Sequence, residues 1–309
     1  MSREVRMVPK AEPRSYYGRQ VIKSPVWTPE VPFYFFFGGL TGASAGLSWT
    51  AAATGNHRLG RNAGLIALAA GSACPVLLIS DLGVPARFFN MFRVFKVTSP
   101  MSVGSWLLAA TATTAAAATA HDLFGVVPRA GRLARALSAL FGLPLATYTA
   151  ALLSDTAVPA WHEAWRELPF VFAGSAAASA GAAAALVTPP GHAGPARRLV
   201  VLGVVAETAS MQLLEHRLGA LAEPYRHGEA GRYEKLAKGL SLAGAAVVAT
   251  RGRTRKGAIT GSVLTLAGSI FERWCVFKAG FRSAEDPRYT VGPQRARLET
   301  LASGDGDRT

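Results

Sequence analysis

Acidic residues are scarce in this chain and cysteine is almost absent: 19 Asp and Glu stand against 33 Lys and Arg, and there are two cysteines. Cys74 and Cys275 belong to no CxxC or iron–sulfur spacing, so they read as small apolar fillers and the chain carries no cluster of its own. Histidine is equally thin. His57, His121, His162, His192, His216 and His227 all fall in loops or at the ends of apolar runs. A bis-histidine haem needs imidazoles facing one another at depth, so haem is excluded. Glu215 and His216 are adjacent and would point to different sides of a helix, so no metal site is expected. No glycine-rich phosphate loop follows a strand and no nucleophile elbow is present, which excludes nucleotide and hydrolase chemistry.

Charge as a whole is sparse at 17%, while half of the residues are hydrophobic and the mean hydropathy is +0.23. Apolar stretches of about 20 residues, the length a helix needs to cross a bilayer, recur along the chain. They cover about 31–54, 61–81, 101–121, 134–154, 168–187, 198–218, 234–250 and 257–277. The seventh is short and contains Lys238. Alanine, glycine and leucine dominate the runs, which favours helices over a barrel. The expected fold is an all-α integral membrane protein of eight transmembrane helices. A surface segment (1–30) precedes the membrane domain (31–277), and a polar tail (278–309) follows it. The first 30 residues hold no apolar core of a signal peptide, so the first helix is expected to direct insertion. The net charge of +14 resides in loops and tails, which suits anionic lipid rather than nucleic acid.

An even number of helices returns both termini to one side. The bases divide too evenly to orient the chain, but the polar residues at membrane depth do not. Tyr34, Asp81, Ser99, Ser102, Trp106, Tyr148, Asp155, Gln212, Glu215, His216, Glu272 and Arg273 all fall towards the terminal side, and Glu207 lies about midway along the sixth run. The loop from Asp81 to Trp106, DLGVPARFFNMFRVFKVTSPMSVGSW, concentrates the signal, with one acid, Arg87, Arg93 and Lys96, and several aromatics. Ionisable groups at such depth tend to mark ligand or proton sites. Aromatics to flank a ring, hydroxyls or imidazole to bind carbonyls, and carboxylates to exchange protons together suit a quinone. Plainer roles stand beside this one. Arg87 and Arg93 suit lipid phosphates, Asp81 could cap a helix, and Trp27, Tyr34 and Trp106 fit an interfacial belt. Tyr148 could simply pack, and Glu272 with Arg273 reads as an interfacial ion pair. Glu207 has no such bland role, because a carboxylate in lipid is costly unless protonated, paired or hydrated. Gly38, Gly42 and Gly46 form consecutive GxxxG spacings that would allow close helix approach.

The segments YYGRQVIKSPVW (Tyr16–Trp27), FFFGGLTGASAGL (Phe35–Leu47), the 81–106 loop and TYTAALLSDTAVPAW (Thr147–Trp161) resemble the NrfD / polysulfide reductase membrane-subunit family. The resemblance spans most of residues 15–220. It implies two four-helix bundles without haem in the plasma membrane, binding menaquinone or ubiquinone near a surface that docks an iron–sulfur subunit. That subunit would connect to a molybdopterin-type catalytic subunit. The implied quinone site comprises Trp27, Tyr34, Arg87, Arg93, Ser102, Trp106 and Tyr148. Asp81, Glu207, Glu215 and His216 would handle protons. The histidine that some members carry early in helix 1 has no counterpart here. Pro32-Phe33-Tyr34 stands in that region, leaving Tyr34 or His216 as the carbonyl donor. A proton-coupled or anion transporter and a purely structural anchor are the rival readings.

Overall fold

The computed structural model describes residues 19–125 and 127–295. Residues 1–18, including Tyr16–Gly18 of the first motif and most of the expected surface segment, lie outside the described residues. So do Val126 and residues 296–309 of the expected tail. Among the described residues the chain is helical and contains no strand. The long helices are α1 (Glu30–Ala53), α2 (His57–Asp81), α3 (Pro100–Phe124), α4 (Pro128–Ser154), α5 (Leu168–Val187), α6 (Gly194–Leu218), α7 (Gly228–Arg251) and α8 (Arg255–Glu285). Among the described residues, four helical segments are long and apolar enough to cross a membrane: His57–Asp81, Pro128–Ser154, Leu168–Val187 and Gly194–Arg226. The last of these adds the short helices Gly219–Ala222 and Glu223–Arg226 to α6. Helices α1, α3, α7 and α8 are of comparable length but carry more Gly, Ser, Thr or charge, which lowers their hydropathy below that of the other four.

Local chemistry sets the helix ends. Asn56 accepts from the Leu59 amide (3.3 Å) to start α2, and Thr254 accepts from the Gly257 amide (3.1 Å) to start α8. Pro100 and Pro128 stand at the first positions of α3 and α4, where a missing N–H costs nothing. Gly125, at φ +67°, terminates α3 in the left-handed conformation. Beyond α8, Asp286 accepts from the Arg288 amide and guanidinium (2.9 and 2.8 Å), and these bonds hold its carboxyl below the usual carboxylate range. A depressed folded value means that this support is present at neutral pH and fades as pH falls through that value.

Consecutive helices pack as hairpins: α1 on α2, α3 on α4, α5 on α6 and α7 on α8. Helix α1 also packs on α4 and α5, and α8 on α5. Small residues form the crossings. A Cβ at Gly42 would collide with the Gly142 carbonyl oxygen of α4, and one at Gly174 with the Glu207 backbone of α6. Of the three glycines spaced GxxxG on α1, only Gly42 occupies such a crossing. A Cβ at Gly38 would meet nothing within 4 Å, and one at Gly46 would meet only the Leu143 side chain at 3.2 Å. Gly42→Ala is therefore expected to destabilise by about 1–3 kcal/mol through overpacking. Gly38→Ala should be neutral or gain up to about 1 kcal/mol from helix propensity. Unfolding midpoints of the two variants in a sodium dodecyl sulfate titration check this, and equal midpoints would contradict the crossing.

The end of the molecule remote from the termini is latched. Asn56 donates to the His192 carbonyl (2.8 Å), Asn62 to Thr188 (3.0 Å), and Arg197 to the Pro190 carbonyl (2.7 Å). Arg135 pairs with Asp122. Some bases on this side thus tie loops together rather than face lipid.

Candidate functional site

At the terminal end, helices α1 to α4 leave a cavity of about 260 Å³. Trp27, Tyr34, Phe35, Asp81, Ser105 and Tyr148 give it aromatic and polar walls, and Val31, Leu78, Leu82, Met91, Met101 and Leu152 complete it. This is close to the lower end of small-molecule sites, roughly 300–1,000 Å³, a size for a ring rather than a ring and its long tail. The hydroxyls of Tyr34 and Tyr148, one on α1 and one on α4, are hydrogen-bonded to each other. At the mouth, Thr28 donates to an Asp81 carboxylate oxygen (2.5 Å). Ser105 donates to the Met101 carbonyl one turn earlier (2.7 Å).

Each wall has its own support. Tyr148 lies flat against Gly104 of α3, where any Cβ would strike the tyrosine ring. Trp27 stacks on Trp161, with centroids 5.2 Å apart and planes 17° from parallel. Trp161 stands on the short helix Pro159–His162, is fully buried, and donates from Nε1 to the Val276 carbonyl of α8 (2.7 Å). Phe35 packs on Phe172 of α5 at 6.1 Å. The pocket wall is thus anchored in the second half of the chain.

Of the residues singled out from the sequence, Trp27, Tyr34, Tyr148 and Asp81 meet at this cavity. Ser102 and Trp106 do not line it. Ser102 donates to the Val94 carbonyl (3.2 Å) and accepts from the Lys96 amide (3.0 Å), and the Trp106 indole points to the same carbonyl (3.5 Å). Trp106 also packs edge-on against Phe92 and Phe95. Both residues tether the 81–106 loop to α3. Arg87 and Arg93 are exposed, and the loop reaches the cavity through Met91, from the 3-10 helix Pro85–Phe92. Phe89 is 73% exposed and Phe95 58%, as an interfacial loop would be.

Glu207 and Glu215 line a second, separate cavity between α6, α7 and α8. Glu215 pairs with Arg226 (2.9 Å), and His216 is exposed. Glu272 and Arg273, read above as an interfacial pair, are instead deeply buried. Helix α8 continues to Glu285, so the pair falls well inside it. Thr28, Gly104, Ser105, Met91 and Met101 escaped the sequence reading. Met91, Met101, Gly104 and Ser105 lie within the 81–106 loop and Thr28 directly follows the motif ending at Trp27, so the segments carried a signal but the individual residues did not. Among the described residues no group of His, Cys, Asp and Glu is arranged to hold a metal.

A search of curated proteins found no match. The family model described as "Polysulphide reductase, NrfD" matches residues 20–194, from the segment before α1 to the start of α6. That interval contains every residue lining the tyrosine cavity. With four helices apolar enough to span a bilayer, this is a multi-pass membrane protein, and the chain belongs to the polysulphide reductase NrfD family.

Proposed function

We propose that this chain is the quinone-reactive membrane anchor of a respiratory oxidoreductase. All eight long helices cross the plasma membrane, and α1–α4 and α5–α8 form two four-helix bundles. The headgroup of menaquinone or ubiquinone enters the Trp27–Tyr34–Tyr148 cavity. Electrons are exchanged with an iron–sulfur subunit docked on the terminal face, which connects to a molybdopterin-type subunit. The observation that carries this reading is the pair of tyrosine hydroxyls on two helices, with Asp81 at the mouth of the same aromatic cavity.

A quinone supplies two-electron, two-proton chemistry when bound. The residues do the rest. Tyr34 and Tyr148 each have a hydroxyl proton to donate, and only one is used in their mutual bond, so the other can donate to a ring carbonyl. Trp27 and Phe35 supply flat apolar walls. Asp81, oriented by Thr28, takes or delivers the proton between the cavity and the surface. Exposed Arg87 and Arg93 keep the loop against lipid phosphates or a docked acidic partner.

A photoreactive azidoquinone tests this directly. Cross-linking of purified protein, followed by peptide mass spectrometry, is expected to label peptides containing Trp27–Phe35 or Tyr148–Leu152, in competition with unmodified quinone. Labelling confined to other segments would refute the site. A structural anchor without quinone would give no competed label.

A further inference from the structure

A second group of ionisable residues is buried where the family match does not reach. Glu207 of α6, Glu272 and Arg273 of α8 and Ser175 of α5 are 6%, 4%, 1% and 1% exposed. Only Ser175 falls within residues 20–194. Arg273 lies over the Phe172 ring, with Cζ 3.7 Å from its centroid, and donates from Nη2 to the Phe172 carbonyl (3.1 Å). Its Nε stands 3.4 Å from Glu272, an ion pair without a proper hydrogen bond. Among the described residues, the Glu207 Oε2, both Glu272 carboxylate oxygens, Ser175 Oγ, and Arg273 Nε and Nη1 have no hydrogen-bond partner. Two carboxylates therefore share one guanidinium. With both ionised, the group carries one uncompensated negative charge in a buried place, which is strongly unfavourable.

The cavity between α6, α7 and α8 supplies the opening. Glu207 and Glu272 line its inner part, and Glu215, Glu234 and Lys238 also line it. Its volume, about 40 Å³, takes about three or four waters at roughly 10–15 Å³ each and is too small for a quinone ring. Glu215 is engaged by Arg226, and Lys238 and Cys275 are the other titratable groups along the wall. The donor set is oxygen-rich and short of one positive charge, and polar atoms are left over to hold it.

We propose that Glu207, Glu272 and Ser175 bind one exchangeable monovalent cation, a shared proton or a sodium ion, that balances the second carboxylate beside Arg273. The cation enters through the water-sized cavity past Glu215 and Glu234. This site is independent of the quinone reading and does not use the Tyr148 cavity.

Dicyclohexylcarbodiimide, which modifies protonated carboxyls in apolar surroundings, reads the occupant. The purified protein is treated in sodium-free potassium buffer across pH about 6 to 9, and modified peptides are located by mass spectrometry. Glu207 or Glu272 is expected to be modified, and more slowly as pH rises. If added sodium chloride protects beyond the same concentration of potassium chloride, sodium also occupies the site. If it does not, the occupant is the proton. Either result supports the proposal. Glu207→Gln leaves Glu272 alone with Arg273, so modification of Glu272 should fall about tenfold or more, while Arg273→Gln should raise modification of both carboxylates by a similar factor. No modification of either residue in the unaltered protein at any pH overturns the proposal whether or not the variants fold. Modification of Glu272 unchanged in folded Glu207→Gln also overturns it. Quinone cross-linking is unaffected by these outcomes, so the two readings fail separately.

Discussion

Tyr148→Phe is expected to lower quinone-linked turnover about 100-fold, the scale of losing a positioned proton donor, while the protein still assembles. The ring remains and continues to pack on Gly104, so the α3–α4 contact is kept. What disappears is one of the two hydroxyls that bond to each other in the cavity wall. Tyr34 then has no partner on α4 and keeps only its own proton to offer. Asp81→Asn acts at the mouth. Thr28 can still donate to an amide oxygen there, so the shape persists, but the group no longer exchanges a proton. A loss of about 10-fold or more is expected for this variant. Turnover with a soluble quinone analogue, measured in membranes containing matched amounts of the assembled complex, decides the matter. Rates within about twofold of the unaltered protein for both variants would remove the cavity from the quinone reaction.

Trp161→Ala is expected to be the most damaging single truncation outside the helix crossings. The side chain is fully buried, stacks on Trp27, and packs against Phe281 and the bare backbone of Gly280. Truncating a buried tryptophan costs about 3–5 kcal/mol, including the cavity left behind. The Val276 carbonyl would also lose its donor. Because Trp27 lines the cavity proposed for the quinone, the loss is also expected to weaken quinone binding. Trp161→Phe separates the two contributions. It retains most of the stacking but removes the Nε1 bond, for about 1–3 kcal/mol. Detergent-unfolding midpoints and quinone content of the purified variants provide the comparison. An alanine variant as stable as the phenylalanine variant would show that stacking contributes little.

How the helices end was only partly legible. The apolar run at 134–154 understates α4, which begins at Pro128, because Arg129, Arg132 and Arg135 interrupt hydropathy but not helicity. The same bias shortened α8. A run ending near 277 makes Glu272 and Arg273 look interfacial, whereas the helix continues to Glu285 through Lys278 and Arg282, and the pair is buried. Ser102 and Trp106 were singled out by their position in the loop, and in the structure both are bonded to the Val94 carbonyl and do not line the tyrosine cavity. A hydroxyl or indole near a site satisfies whichever acceptor is closest, and spacing along the chain does not reveal which that is.

The sequence by itself determined the helical membrane character and the segments carrying the family match, and it brought Trp27, Tyr34, Asp81 and Tyr148 to one end. These follow from composition and local periodicity, which every residue carries regardless of its neighbours in space. Only the tertiary structure decided that Tyr34 meets Tyr148, 114 positions away, and that Glu207 shares a cavity with Glu272 rather than with Asp81. Such meetings depend on how each helix is rotated about its axis and how closely it approaches its partner. Contacts such as Gly42 on Gly142 and Gly174 on the α6 backbone set that rotation and approach. A one-residue change in rotation turns a side chain by about 100°, enough to move a hydroxyl from the cavity into the lipid.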